Sequence, residues 1–132
     1  MTNKFKITKN IKSLKFSHDS NSIFIPSNIE VIEDGWCQKL TNLKYISISP
    51  SNRHFIYYKN EILIGKLDDK SDNFDNLIFA RRDIEKIEIP PFIKRISSYA
   101  FAHCINLKSF EFAPNSEIKS IGKYAFYKTK IE

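Results

Sequence analysis

The chain has 132 residues, 42% of them hydrophobic and 27% charged, a composition typical of one folded domain and not of a disordered segment. Its three glycines are too few for a glycine-rich phosphate loop or for flexible linkers. The formal net charge is +6, but the lysines and arginines are scattered singly, which favours a solvated surface over a nucleic-acid site.

The sequence has no element that would place it in a membrane. No apolar run approaches the length of a spanning helix, and the N-terminal residues carry no hydrophobic signal region. From these features alone we expect a cytoplasmic protein or an internal fragment of a longer chain. Cys37 and Cys104 are predicted to be reduced, small core residues, because they fall in different repeats, several strand spacings apart.

The most informative feature is an internal repeat. The segment 23–50 matches the segment 87–114 without a gap, at an offset of 64 residues, and the strands within each segment lie 23 residues apart. A further copy at residues 11–16 matches residues 107–112. A period in this range is typical of solenoids, in which each unit stacks on its neighbours to bury a shared core.

Each unit is predicted to contain one short strand. Residues 45–48, 86–89 and 109–112 alternate apolar and polar side chains, which puts one set of side chains into the core and the other into solvent. A proline follows each strand and ends it, because proline cannot donate to a strand ladder. The residues expected in the core are Ile46, Ile48, Ile87, Ile89, Phe110 and Phe112.

The rest of each unit is predicted to return along a short helix or 3₁₀ turn. The apolar residues Ile93, Ile96, Ala100 and Phe101 have the spacing of one helical face. The small Ala100 beside the large Phe101 would let the return segment approach the strand closely.

Residues 53–82 interrupt the period. Residues 55–58 and 61–66 are predicted to form a β-hairpin, and residues 76–80 a further strand, as a ribbon that remains part of the stack. We therefore interpret residues 1–132 as a single repeat domain with an incomplete last repeat. Its parts are the first repeats (11–52), the inserted hairpin segment (53–82) and the further repeats (83–132).

The sequence shows no catalytic constellation. It has no Gly-x-Ser-x-Gly elbow, Walker loop or dinucleotide fingerprint, so no enzyme activity is predicted. His103 and Cys104 form an isolated pair of zinc-ligand types, so no metal site or cofactor is predicted. The acidic segment 68–75 offers oxygen ligands for calcium but lacks the glycine and the glutamate of an EF-hand loop; a solvated loop is the favoured interpretation.

The motif over residues 93–112, Ile-x-x-Ile-x-x-Tyr-Ala-Phe-x-x-Cys-x-Asn-Leu-Lys-x-Phe-x-Phe, resembles the BspA-like class of leucine-rich repeats. Residues 121–126, Ile-Gly-Lys-Tyr-Ala-Phe, match the recurring turn of that class, and residues 55–80 resemble the β-ribbon units of its protist members. The resemblance implies an α/β, strand-rich solenoid. Its expected parts are short parallel strands, short helical or 3₁₀ return segments and an inserted β-ribbon.

The resemblance also implies a function. Many members of the class are large cell-surface proteins of bacteria and protist parasites associated with adhesion. We therefore expect a non-catalytic scaffold that binds a protein, in particular a host-cell or matrix protein, and no small-molecule substrate. The alternative is a polyanion (nucleic acid or acidic glycan) bound through a column of lysines, namely Lys12, Lys44 and Lys108.

The predicted binding surface consists of strand residues that point away from the core. Stacking of the strands side by side makes such residues one continuous, concave surface. Phe24 and Tyr45 are predicted to be neighbouring exposed aromatics, which would suit the anchor of an interface but are also found as ordinary surface residues. The candidate partner-binding residues are Lys15, Phe24, Tyr45, Ser47, Glu88, Ser109 and Glu111.

Overall fold

The computed structural model describes residues 9–10, 20–68 and 70–130, which form short β-strands and no helix. The strands are β1 (Lys9–Asn10), β2 (Ser22–Ile25), β3 (Ile29–Val31), β4 (Tyr45–Ile48), β5 (Ile56–Tyr58), β6 (Ile62–Gly65), β7 (Asn76–Ala80), β8 (Lys86–Ile89), β9 (Arg95–Ile96), β10 (Ser109–Phe112) and β11 (Ser120–Ile121).

The repeat strands pair in parallel, β2 with β4 and β8 with β10, each over four residues in register. Ile46, Ile87 and Ile89 are buried, as their alternation predicts, and Ile48 and Phe110 are half-buried. The prediction for Phe112 is wrong: the alternation places it in the core, but it is 38% exposed. The reason is that, within the described residues, β10 pairs with β8 alone and has no strand on its other edge.

The return segments follow the 3₁₀-turn form of the prediction: they are series of single hydrogen-bonded turns, and no helix forms in the described residues. The N–H groups of Ala100, Ala102 and Cys104 each donate to the carbonyl three residues back, at 3.1 to 3.2 Å. Tyr99 and His103 have φ of 61° and 62°. A helix requires a right-handed backbone at every residue, so these two left-handed residues divide the segment into separate turns.

The inserted segment forms the predicted hairpin and third strand. β5, β6 and β7 are antiparallel neighbours, and Lys59 and Asn60 at the hairpin tip have φ of 53° and 57°, the sign that a type I′ turn needs. β7 then pairs in parallel with β9, and β9 with β11. The insertion therefore extends a sheet made by the return segments, in the order β5-β6-β7-β9-β11.

The insertion is a buried central layer of the protein. On one side, Ile62, Ile64 and Leu77 join the core of the C-terminal repeats. On the other side, Leu63 and Phe79 join the core of the N-terminal repeats. A strand buried on both faces reads as a continuous apolar run, which is the character of the segments 62–64 and 77–80.

Arg82 follows this layer and is 3% exposed. Its guanidinium donates to the carbonyl oxygens of Leu40 at 2.7 Å, Cys37 at 2.8 Å and Ala100 at 3.0 Å. The guanidinium carbon also lies 4.6 Å from the centre of the Phe79 ring. Backbone carbonyl dipoles and an aromatic face thus surround a buried positive charge.

Arg82 takes the place of a backbone ladder. Between the last two turn segments, the Phe101 N–H donates to the Ala125 carbonyl at 2.7 Å. Among the described residues, no backbone hydrogen bond joins the turns at 33–40 to those at 97–104. The Arg82 side chain connects these two segments instead.

Replacing Arg82 with methionine is expected to lower the free energy of unfolding by about 2–4 kcal/mol, because the buried carbonyls lose their donors while the side-chain stem keeps its volume. The matched control is Arg81→Met. Arg81 is partly exposed and forms an ion pair with Asp83 at 2.7 Å, so its loss should cost at most about 1 kcal/mol. Urea denaturation measures both values; equal losses for the two arginines would contradict the role given to Arg82.

Gly122, in the turn motif of the last unit, has no room for a side chain. A Cβ at this position would lie 2.5 Å from the backbone nitrogen of Ser98. Gly122→Ala should therefore destabilise the protein by about 1–3 kcal/mol, because backbone of the neighbouring turn must move. Lys119→Ala, at a nearby exposed residue, should change the melting temperature little. A Gly122→Ala protein that melts like wild type would refute this close approach.

Candidate functional site: the strand face

The strand face, meaning the exposed side chains of β2, β4, β8 and β10, begins with an aromatic patch. Phe24 is 56% exposed and Tyr45 is 59% exposed. The pairing of β2 with β4 sets Phe24 opposite Ser47 and Tyr45 opposite Ser22, so the two aromatic residues are diagonal neighbours. Ile25, on the other side of β2, is fully buried and anchors the patch to the core.

The second part of the strand face is an acidic patch on β8 and β10. The register places Glu88 opposite Glu111, and Lys86 opposite Ser109, and all four side chains are exposed. Like charges directly opposite each other on neighbouring strands repel, so this pairing does not serve stability. The two carboxylates instead place two negative charges side by side on this part of the face, with the positive charge of Lys86 on the same strand as Glu88.

The tip of the inserted hairpin stands beside the acidic patch. Tyr58, Lys59 and Glu61 line a shallow cavity of about 370 Å³ together with residues of β8 and β10. On the other side, the Tyr57 hydroxyl donates to the Lys44 carbonyl, just before β4, at 2.7 Å, and burial raises the pKa of this phenol. The hairpin therefore separates the aromatic patch from the acidic patch, and the continuous surface that stacking predicts is divided in two.

The structure thus gathers the predicted site residues into two groups. Phe24, Tyr45 and Ser47 form the aromatic patch, and Glu88, Ser109 and Glu111 belong to the acidic patch. Lys15 lies outside the described residues, as does Lys12 of the lysine column. Of the other two column members, Lys108 is exposed and Lys44 is half-buried.

The hairpin-tip residues Tyr58, Lys59 and Glu61 are the part of the face that the sequence does not reveal. The hairpin itself is predicted, but its position beside β8 follows from the pairing of β7 with β9, which no local pattern encodes. The available signal for an exposed turn was Asn60, because asparagine tolerates the positive φ of a tight hairpin turn.

Two carboxylates of the acidic segment 68–75 accept hydrogen bonds from backbone N–H groups. Asp75 is 7% exposed, and its Oδ1 accepts the Leu67 N–H at 3.0 Å. Asp68 Oδ1 accepts the Lys70 N–H, also at 3.0 Å, and Asp69 lies outside the described residues. No group of three or more metal-ligand side chains occurs in the part of the chain that the structure describes.

Cys37 and Cys104 are both fully buried free thiols, as predicted for core residues. Burial raises the pKa of the Cys104 thiol to about 11, although the nearby Arg82 charge opposes the shift. Burial also raises the pKa of Cys37. A raised thiol pKa lowers the thiolate fraction at neutral pH, so neither cysteine has the character of a nucleophile.

The architecture defines the class of protein: parallel repeat strands joined by turn-built return segments form a leucine-rich-repeat solenoid. The chain belongs to the family described as BspA type leucine rich repeat region, whose model matches residues 2–61 and 66–132 in 6 copies. The resemblance read from residues 93–126 is thereby confirmed. No curated protein sequence matches the chain.

Solved structures with the same fold come from bacteria. A leucine-rich repeat protein from Eubacterium ventriosum ATCC 27560 is 26% identical, with a TM-score of 0.70 over 83% of this chain and 28% of that protein. A leucine rich cell surface protein from Faecalibacterium prausnitzii A2-165 is 26% identical, with a TM-score of 0.67 over 80% of this chain and 26% of that protein. The pneumococcal vaccine antigen PcpA is 22% identical, with a TM-score of 0.68 over 80% of this chain and 24% of that protein, and shows the fold alone.

This chain therefore spans about a quarter of the length of each of these proteins. Nothing in the described part of the chain forms a helix that could span a bilayer.

We expect the buried Cys104 thiol to make stability depend on pH in alkaline solution. In the unfolded chain this thiol ionises near its usual value of 9, whereas in the folded protein it keeps its proton until about pH 11. The contribution of this group to the free energy of unfolding should therefore be level below about pH 8.5 and fall by roughly 3 kcal/mol as the pH rises towards 11.

Urea denaturation of the reduced protein at a series of pH values tests this expectation. Cys104→Ala should remove part of the alkaline loss, so that its curve falls less steeply than that of wild type. The variant keeps Tyr57, whose raised pKa acts in both proteins, and Cys37, so part of the alkaline loss should remain. Parallel curves for wild type and variant would show that Cys104 is not the titrating group.

Proposed function

We propose that the chain is a non-catalytic protein-interaction scaffold and that its strand face binds a partner protein. The observation that carries the proposal is the aromatic patch: Phe24 and Tyr45 are large, adjacent and more than half exposed. Buried aromatic residues dominate the binding energy of protein interfaces, because they remove much apolar surface from water at a low cost in side-chain entropy.

The strands that carry the aromatic patch are anchored to the core on their other face. Ile25 and Ile46, on the core side of β2 and β4, are 0% and 8% exposed. The strands that carry the two aromatic residues are thus held in place before a partner arrives. A preorganised surface loses little conformational freedom on binding, so more of the contact energy appears as affinity.

The acidic patch gives the proposed interface a second, electrostatic part. Glu88 and Glu111 lie side by side and the cavity beside them is walled by Tyr58. A partner that covers both patches would place apolar side chains on Phe24 and Tyr45 and a basic side chain near the two glutamates. Charge complementarity of this kind raises the association rate and selects among partners.

The cellular setting is part of the proposal. The F. prausnitzii neighbour, which is 26% identical, is described as a cell surface protein. We extend this description to the present chain and propose a cell-surface role in adhesion, with a host-cell or matrix protein as the partner. We also propose that residues 1–132 form one domain. The lysine column gives less support to a polyanion, because the Lys44 side chain is half-buried.

The double variant Phe24→Ser/Tyr45→Ser should weaken partner binding by at least about tenfold, since both aromatic anchors are removed from the interface. Binding is measured by surface plasmon resonance against a panel of purified matrix proteins, and by attachment of protein-coated fluorescent beads to cultured epithelial cells. The melting temperature should stay close to that of wild type, because both side chains are largely exposed.

Ile105→Ser is the matched control. Ile105 is 59% exposed, the same fraction as Tyr45, but it lies in the turns of the return segment and not on the strand face. This variant should bind as wild type does. The proposal fails if wild type attaches to no cell and no matrix protein, or if the control loses as much binding as the double variant.

A further inference from the structure

The turns of the return segments form an outer edge, on the opposite side of each unit from its strand. Gly35, Tyr99 and Tyr124 occupy the same turn position in three units, and all three have positive φ, at 83°, 61° and 60°. Glycine adopts this conformation without strain, whereas other residues pay about 1–2 kcal/mol. The two tyrosines are therefore not explained by the needs of the backbone.

The tyrosines form a cluster on this edge, which we name the tyrosine ridge: Tyr99, Tyr124 and Tyr127. The centre of the Tyr99 ring lies 5.5 Å from the centre of the Tyr124 ring and 5.7 Å from that of Tyr127. The centres of the Tyr124 and Tyr127 rings are 6.1 Å apart. Tyr124 is 52% exposed and Tyr127 is 39% exposed. The ridge thus presents the Tyr124 and Tyr127 side chains to solvent, packed against the half-buried Tyr99.

Positive charges surround the ridge. The Lys123 ammonium lies 5.2 Å from the centre of the Tyr124 ring, and the Lys128 ammonium lies 5.6 Å from that of Tyr127. Lys39, from the N-terminal repeats, lines depressions on both sides of the ridge. All three lysines are exposed.

The depressions join into a groove. One, of about 570 Å³, is lined by residues including Tyr99, Tyr124 and Lys123, and the other, of about 540 Å³, by residues including Tyr127 and Lys128. Gln38 and Lys39 line both, so the two depressions meet along the turn that carries them.

The groove follows from the missing ladder between the two halves of the solenoid. The turns at 33–40 and 97–104 are connected by Arg82 on the inside. At the surface, side-chain contacts connect them: Asp34 Oδ1 accepts the Ser98 N–H at 2.9 Å, and His103 Nε2 lies 2.8 Å from the Gln38 carbonyl oxygen. A side-chain connection holds the turns less closely than a backbone ladder does.

We propose that the tyrosine ridge and its groove bind an acidic peptide segment of a protein partner, at a site separate from the strand face. Lysine ammonium groups would pair with the carboxylates, and the tyrosines would supply flat contact area and hydroxyl hydrogen bonds at low entropic cost. The groove also has Glu33 and Asp34 at one end. These carboxylates would repel a uniform polyanion but leave room for a peptide of mixed composition.

The test begins with random peptides displayed on phage and selected against the immobilised full chain. The strongest binder is then synthesised with a fluorescent label, and its dissociation constant is measured by anisotropy. We expect selected peptides that are rich in Asp and Glu. The variant Lys39→Glu/Lys123→Glu/Lys128→Glu should weaken binding by at least about tenfold, and Tyr124→Ser/Tyr127→Ser should weaken it similarly.

Lys59→Glu/Lys70→Glu/Lys108→Glu is the matched control, because it makes the same change in net charge at exposed lysines that line neither depression. It should lose less than about threefold in affinity, through long-range electrostatics alone. Phe24→Ser/Tyr45→Ser should bind the peptide as wild type does, which separates this proposal from the strand-face proposal. Circular dichroism melts confirm that each variant is folded.

Three outcomes would overturn the proposal. The first is a selection that yields no binders, or binders without acidic residues. The second is an equal loss of affinity in the ridge variant and its charge-matched control. The third is heparin binding that equals the peptide in affinity and in sensitivity to the ridge lysines, which would assign the groove to a uniform polyanion.

Discussion

The structure depends on one buried arginine. A solenoid is held together by backbone hydrogen bonds between successive units, and the insertion removes one set of these bonds from the middle of the stack. Arg82 supplies donors in their place, to carbonyl groups of the N-terminal turns at Cys37 and Leu40 and of the C-terminal turn at Ala100. A buried carbonyl without a donor is costly, so these contacts stabilise the packing of the two sets of turns against the insertion.

The same insertion shapes both surfaces of the molecule. Its strands β6 and β7 are buried between two apolar clusters, and its tip emerges on the strand face between the aromatic and acidic patches. On the outer edge, the described turns at 33–40 and 97–104 have no backbone ladder between them, and the groove beside the tyrosine ridge lies there. A segment that breaks the repeat in sequence is therefore the element that distinguishes this protein from a uniform stack.

Sequence patterns predicted those features that depend on neighbouring residues. Alternation located the strands at 45–48, 86–89 and 109–112, and the hairpin followed from two apolar runs around Lys59–Asn60. Apolar spacing also predicted short helical or 3₁₀ return segments, and the hydrogen bonds of the 3₁₀ type are present. The spacing does not report the sign of φ at Tyr99 and His103, which divides these segments into single turns. The burial of Phe112 was wrong because alternation gives a direction, whereas burial also requires a neighbouring strand.

The sequence by itself determined the repeat, the parallel strands and the exposure of Phe24 and Tyr45, because period and alternation are local properties of a chain that stacks on itself. Only the tertiary structure decided the position of the insertion, the partners of Arg82 and the division of the strand face. These features bring together residues far apart in the chain, such as Cys37 and Arg82, and their contacts depend on how whole units pack. No short pattern carries that information.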